Sequence, residues 1–197
     1  MDHNILIDGN TFSLRPVRFA DSKFIVDIRR SDRASKYMHD GAKNEYEQDY
    51  WTRAYFKRPN DWYFIVERIS NREAVGTISI YDVDEGTKTG EWGRWIIQPG
   101  SLAAIESALL IYKVAFSVLK LRGVFCRTVA NNSSVVSFHD SSGAIRRRVL
   151  TNHVELRGTQ YDSIEHAVDL DVWREMCPRL EQMSAKLDRI IQRNRNA

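Results

Sequence analysis

Cysteine is scarce: the 197 residues hold only Cys126 and Cys177, with no CxxC pair and no Cys/His spacing of a metal site. This argues against a disulfide-stapled fold, and both are read as free thiols of a reducing compartment with no metal expected. Proline is equally rare, at four residues, and no segment is repeated or low in complexity, so long linkers and disorder are not expected. Nowhere do 18 uncharged apolar residues run together, and the opening MDHNILIDGNTF lacks the basic and apolar regions of a secretory leader. A cytoplasmic protein with no membrane partner is the expectation. No sign of charge dominates either, because 29 Lys and Arg are interleaved with 26 Asp and Glu to give a net +3. Such a surface suits a small anionic ligand, and the missing basic face argues against nucleic acid.

What is present is a globular composition, 43% hydrophobic and 28% charged, sufficient for one core. Alternation in FSLRPV predicts a strand over 12–17, and Asp21 or Ser22 can cap a helix whose apolar face is Phe24, Ile25 and Ile28. A second helix over NEYEQDYWTRAYF sets Tyr46, Tyr50 and Ala54 on one side. WYFIVERI and AVGTISIYDV read as a hairpin about SNRE, and GEWGRWIIQ continues the sheet over 90–98. GVFCRTVA, over 123–130, lacks alternation and is expected to be a strand buried on both faces. SSVVSFHDSSG predicts a short helix closing at a left-handed Gly143, and strands follow over 145–157 and 161–169. In the tail, Trp173, Met176, Leu180, Met183, Leu187 and Ile190 form a heptad-like seam that either packs on the domain or joins two copies as a homodimer. Pro178 predicts a break in it near residues 176–178.

The stretch QPGSLAAIESALLIYKVAF combines two signals. Leu102, Ile105, Leu109, Tyr112 and Phe116 recur every three or four residues, the stripe of an amphipathic helix. Ahead of it stands a loop of small residues, whose backbone amides, with the helix amino end, would suit a pyrophosphate; a plain Ser101 cap is the other reading.

The order of elements over residues 12 to 169, together with EWGRWIIQP, the loop and helix just described, AFSVLKLRGVFCRTVANN and NSSVVSFHDSSGA, resembles the GNAT superfamily of acyl-CoA-dependent N-acetyltransferases. The last of these matches that family's N-x-x-[SA]-[IV]-x-[LF]-[YH]-x-x-x-G-F, with Asn132 leading, Gly143 closing, His139 where a tyrosine is usual and Ala144 where phenylalanine is usual. In the loop, Ala104 and Glu106 stand where the family has glycines and Ser101 where it has Arg or Gln, so Glu106 carries a negative charge beside the expected place of an anion. The resemblance implies an α+β fold: a mixed, mostly antiparallel sheet of about seven strands flanked by helices over 1–169, with a helical extension over 170–197. It also implies acetyl-CoA as co-substrate, held by Ile96, Ile97 and Gln98 at a strand end, by Ala103, Ala104, Ile105, Glu106 and Ser107 in the loop and first helical turn, and by Asn132 and Phe138.

An N-acetyltransferase must present a neutral amine, which for an amine like that of lysine costs about 4.6 kcal/mol at pH 7, so a base within reach is required. Glu91 matches the position where several GNAT enzymes place a glutamate base; its other reading is an exposed strand-end carboxylate. His139 matches the tyrosine credited with protonating the departing CoA thiolate, and an imidazole can do so near neutrality, although a structural histidine reads equally well. Arg127 stands where some peptide-modifying relatives carry a glutamate, which weakens a protein acceptor. DIRRSD and KYMHD resemble the relatives that acetylate nucleotide-linked amino sugars, implying an acceptor pocket with Arg29, Arg30, Met38, His39 and Trp92. The expected activity is therefore direct acetyl transfer, in a ternary complex, to a small-molecule primary amine such as a nucleotide-linked amino sugar. An acetyltransferase of protein amino termini, such as that of a ribosomal protein, and a non-catalytic acyl-CoA-binding module are the alternatives.

Overall fold

The computed structural model describes residues 2–31 and 36–195. Asp32 of DIRRSD and the last two residues of the expected extension lie outside the described residues. In chain order the elements are β1 (Ile7–Asp8), β2 (Phe12–Pro16), α1 (Ser22–Arg30), α2 (Glu45–Phe56), β3 (Trp62–Arg68), β4 (Ala74–Asp84), β5 (Thr89–Ile97), α3 (Ala104–Lys113), β6 (Gly123–Val129), α4 (Ser133–Ser142), β7 (Ile145–Leu156), β8 (Thr159–Asp169) and α5 (Leu170–Arg195). One eight-stranded sheet runs in the order β1-β2-β3-β4-β5-β6-β8-β7, the two-residue β1 being the strand beyond the seven expected. Its neighbours are antiparallel except β5 and β6, which α3 connects as a crossover.

The larger core lies between the sheet and the α3/α5 pair, and a smaller one under α1 and α2 gathers Val17, Ile25, Tyr55, Tyr63 and Ile65. It is β3, with one side chain set in each core, that is buried on both faces. The expectation that β6 would be so is corrected, since Phe125 is only half-buried and Arg127 is exposed on its second face. The inner face of α2 also differs from the apolar reading: Tyr46 and Tyr50 are 83% and 75% exposed, and Gln48, Thr52 and Tyr55 are buried instead. Polar pairing explains this, because Gln48 donates to Thr52 and the Tyr55 hydroxyl accepts the Tyr63 amide at 2.9 Å.

Two expectations for the tail are overturned. The last helix runs unbroken through Pro178, which lies on the exposed side while Met176 and Leu180 anchor the buried side, so the backbone bond its ring displaces is lost away from the core. Its buried positions are Trp173, Met176, Leu180, Ser184 and Ile191, with Met183 and Ile190 turned out. A straight helix follows a 3.6-residue period, so a seam drawn at 3.5 drifts off the contact within three turns. That face packs on the same chain: Trp173 lies against Tyr112 and Phe116, at 5.5 and 5.6 Å between ring centroids. The stripe of α3 is amended likewise, since Leu102 precedes the helix and is 44% exposed, while Phe116 sits in a wider turn, Val114–Val118, that closes it.

Glu106, in the first turn of α3, is only 4% exposed. Its carboxylate accepts the amides of Asn10, Thr11 (3.1 Å) and Phe12 (3.0 Å) and the Ser184 hydroxyl (2.9 Å). Gly9 is required beside it, because a Cβ there would stand 2.3 Å from a Glu106 oxygen. One buried charge thus joins the β1–β2 turn, α3 and α5. Glu106→Ala would strand those donors, and urea denaturation should show a loss on the order of 3 kcal/mol; a loss under about 1 kcal/mol would mean that water or a shifted loop replaces the carboxylate.

Candidate functional site

The two parallel strands pair over three rungs only, Thr89 with Gly123, Gly90 with Val124 and Glu91 with Phe125. Past Glu91, β5 follows β4 and β6 follows β8, so the sheet opens into a V. A bulge bends β5 away: Ser79 opposes Gly93 but Thr77 opposes Ile96, and Arg94 takes a left-handed φ of 48°. The Ser79 and Thr77 hydroxyls satisfy the bulge by donating to the Gly93 and Arg94 carbonyls at 3.1 and 2.8 Å. Into the V opens a cleft of about 640 Å³, walled by residues 91–95 of β5, residues 126–129 of β6, Arg29 at the end of α1 and the loop 37–42.

Glu91 stands on the last shared rung and lines this cleft. Its Oε1 accepts from the Tyr81 hydroxyl at 3.2 Å and its Oε2 from Arg127 Nη1 at 2.9 Å. Burial raises its pKa above the ordinary glutamate range, with the Arg127 charge opposing the rise. Arg127 also donates to Glu165, which Arg148 holds from the far side. Tyr81 lies under Arg94, whose guanidinium sits 4.5 Å from the ring centre and makes a two-pronged bond to Asp61 at 2.6 and 2.9 Å.

His139 reaches the same cleft from α4. It is 1% exposed, packed among Trp92, Trp95, Phe138 and His166, with Cys126 Sγ 3.5 Å from Nε2. Burial brings its pKa down to about 3, with His166 acting in the same direction. The ring is therefore neutral at pH 7 and holds no imidazolium to give away. Burial pushes the Cys126 thiol upward, so the nearest sulfur stays protonated.

On the opposite wall, Arg29, Met38 and His39 line the cleft, and so does Arg58. Arg29 donates to the His39 carbonyl at 3.2 Å; Arg30 points elsewhere, donating to the Lys43 carbonyl at 2.7 Å, and is not part of the wall. Trp92 contributes to the lining but is 2% exposed and belongs chiefly to the core. Among the described residues, neither Arg29 nor Arg58 has a carboxylate partner.

At the strand end, Ile96 is buried, Ile97 is half-buried and the Gln98 amide bonds back to Val75, while Gly100 turns the chain at a φ of 83° with no atom within 4 Å of a would-be Cβ. Ala103 opens α3 without any side-chain cap, so the first-turn amides of Ala104, Ile105 and Glu106 are left without side-chain acceptors. Ser107 is committed inward, its hydroxyl accepting from Trp95 Nε1 at 3.0 Å and its amide bonding to Ala103. The Glu106 carboxylate is instead taken up by the amides of Asn10, Thr11 and Phe12. Asn132 lines the cleft at the start of α4, and Phe138 touches it through Trp95, 4.9 Å between ring centres.

The fold thus brings Glu91, His139, Asn132, Arg29, Met38 and His39 to one cleft and leaves Arg30 outside it. Tyr81, Arg58 and Arg94 were missed by sequence reasoning; the one signal of Arg94 was an arginine between two tryptophans in a strand, a place that needs a buried partner.

Residues 12–145 match the family described as acetyltransferase (GNAT) domain. Among solved structures, the chain is 29% identical to apo FdhC, described as a nucleotide-linked sugar GNAT, with a TM-score of 0.74 over 88% of this chain and 94% of that one. It is 15% identical to a variant of the spermidine N-acetyltransferase SpeG from Vibrio cholerae, with a TM-score of 0.72 over 82% and 95% of the two chains. No curated protein matches the chain. Among the described residues, no helix is long and apolar enough to cross a membrane.

The depressed His139 pKa has a consequence for stability. Below about pH 6.5 the unfolded chain takes up a proton at this ring and the folded chain does not, so stability is lost progressively as pH falls from about 6.5 toward about 3. Thermal melts of His139→Phe between pH 7.5 and 4 should therefore fall less steeply than those of the wild type. Parallel slopes would assign the dependence to another group.

Proposed function

The chain belongs to the GNAT acetyltransferase family, and we propose that it moves the acetyl group of acetyl-CoA directly to the primary amine of a nucleotide-linked sugar. The observation that carries this acceptor is the pair Arg29 and Arg58 on the cleft wall, two guanidinium groups without carboxylate partners among the described residues. A diphosphate can take both in two-pronged bonds, whereas a polyamine would meet like charge. The 29% identity to a nucleotide-linked sugar GNAT supports the same reading.

The V between β5 and β6 and the uncapped start of α3 fit a long thioester that carries a pyrophosphate. Ile96, Ile97 and Gln98 would flank its chain, the first-turn amides of Ala104, Ile105 and Glu106 its phosphates, beside Ala103 and Ser107, whose own amides bond to Ser101 and Ala103, and Asn132 and Phe138 its far side. Acetyl-CoA supplies the activated acyl group. Glu91 takes the proton of the incoming amine, directly or through one water, and its raised pKa brings it closer to the amine it serves. Cys126, protonated and buried, is no nucleophile, which favours a single transfer over an acetylated enzyme. His139, neutral at working pH, shapes the cleft floor against Trp92 and Trp95 and, as a positioning residue, replaces the acid role expected of it.

Incubation with acetyl-CoA and a panel of UDP- and dTDP-linked amino sugars, spermidine and amino-terminal peptides, read by mass spectrometry, should show acetylation of a nucleotide sugar alone. Turnover of peptide or spermidine only would sink the acceptor assignment, and no heat with acetyl-CoA in calorimetry would favour a non-catalytic module. Glu91→Gln should lower kcat about 100-fold or more while sparing the Kd for acetyl-CoA. Arg58→Ala should raise the KM of the sugar about tenfold with kcat little changed.

A further inference from the structure

The Glu91 carboxylate is gripped on both oxygens, by Tyr81 of β4 and Arg127 of β6. We propose that Arg127 and Tyr81 are positioning residues, a two-sided clamp that fixes the Glu91 carboxylate where β5 and β6 part. The proposal rests on the reading of Glu91 as the base.

Arg127 is aimed by its own neighbours. Its Nε is pinned to Glu165 at 3.0 Å and its guanidinium lies 4.6 Å above the Phe125 ring. With one nitrogen and the plane of the group fixed, the direction of Nη1 follows, because the guanidinium is rigid. Glu165 does not need this arginine for itself, since Arg148 bonds it at 3.1 and 3.2 Å. The second nitrogen is thus available for Glu91. On the other side, Tyr81 is held flat beneath Arg94, which Asp61 anchors, so the phenol cannot turn away without breaking a buried contact. Each carboxylate oxygen keeps one further lone pair for the amine or a water.

The groups facing Glu91 are Tyr81 and Asp82 from β4, Cys126 and Arg127 from β6 and Glu165 from β8. Arg127 is the one cation in that set. Its removal leaves burial and two carboxylates acting together to hold a proton on Glu91, and removal of the Tyr81 hydroxyl acts in the same direction more weakly.

The test uses the full chain labelled with carboxyl-13C glutamate, the Glu91 resonance being assigned by its loss in Glu91→Gln. In Arg127→Gln its titration midpoint should rise by about one pH unit, and in Tyr81→Phe by less. With the nucleotide-linked amino sugar that turns over, Arg127→Gln should lower kcat about tenfold with an unchanged KM for acetyl-CoA, and the acid limb of kcat/KM should move up with the midpoint. Arg127→Lys keeps the charge without the fork and should restore the midpoint but not kcat. An unmoved midpoint in Arg127→Gln and Tyr81→Phe, both melting as the wild type does, overturns the clamp; should Arg127→Gln not fold, Tyr81→Phe alone decides it. Full kcat in Glu91→Gln would remove the premise that Glu91 is the base, a failure distinct from that of the clamp because the midpoint does not depend on turnover.

Discussion

The three-rung parallel pairing of β5 with β6 is the constraint on which the site depends. A longer ladder would close the sheet and leave no cleft, and a shorter one would separate Glu91 from Arg127. Its length is set from both sides. The bulge at Gly93 and Arg94 turns β5 onto β4, and the pairing of Gly123–Val129 along its whole length with β8 holds β6 on the other course. The bulge is itself expensive, with a left-handed arginine in a half-buried strand, and it persists because Asp61 and the rings of Tyr81, Trp51 and Tyr63 surround that guanidinium. The same piece of chain consequently opens the sheet and holds Glu91 at the point where the strands part.

Glu106 shows how a residue that reads as an obstacle in sequence becomes a support in three dimensions. A carboxylate in the first turn of α3 would repel an anion if it faced the loop. The amides of Asn10, Thr11 and Phe12, from the β1–β2 turn and the start of β2, and the Ser184 hydroxyl take it instead. The amino end of α3 stays uncapped and its position is fixed by strands and by the last helix. Local charge counting fails here because the partners lie 78 to 96 residues away.

That distance also explains what was legible. Hairpin strands, the stripe of α3 and the left-handed Gly143 follow from neighbours a few residues apart, and the pattern showed them. The α2 face departs from its apolar pattern because Tyr55 is satisfied by a strand amide, so polar residues lie inside and Tyr46 and Tyr50 outside. In the tail the apolar spacing averages 3.5 residues while the helix turns every 3.6, and one residue of drift moves burial from Met183 to Ser184. Glu91 and His139 could be singled out by resemblance, yet nothing local to Glu91 announces its contacts with Tyr81 and Arg127, which cross strands. Role and environment separate most clearly at His139. The motif invites an acid, and the structure surrounds the ring with four others and a buried thiol that keep it neutral.

The chain of charges from Glu91 through Arg127 and Glu165 to Arg148 bears on the proton transfer proposed for Glu91. On the proposed reading of Glu91 as the base, its protonation ends its neutralisation of Arg127, and a cation left unpaired beside it would oppose that step. Arg127 has a second carboxylate in Glu165, at 3.0 Å, so its charge remains compensated before and after the transfer. Glu165 in turn keeps Arg148. The cost of charging and discharging Glu91 therefore falls on Glu91 alone, where burial and Arg127 act in opposite directions. A pair isolated from Glu165 would have tied the base to a single cation and held it in its charged form, whereas a cation shared between two carboxylates lets one of them change state.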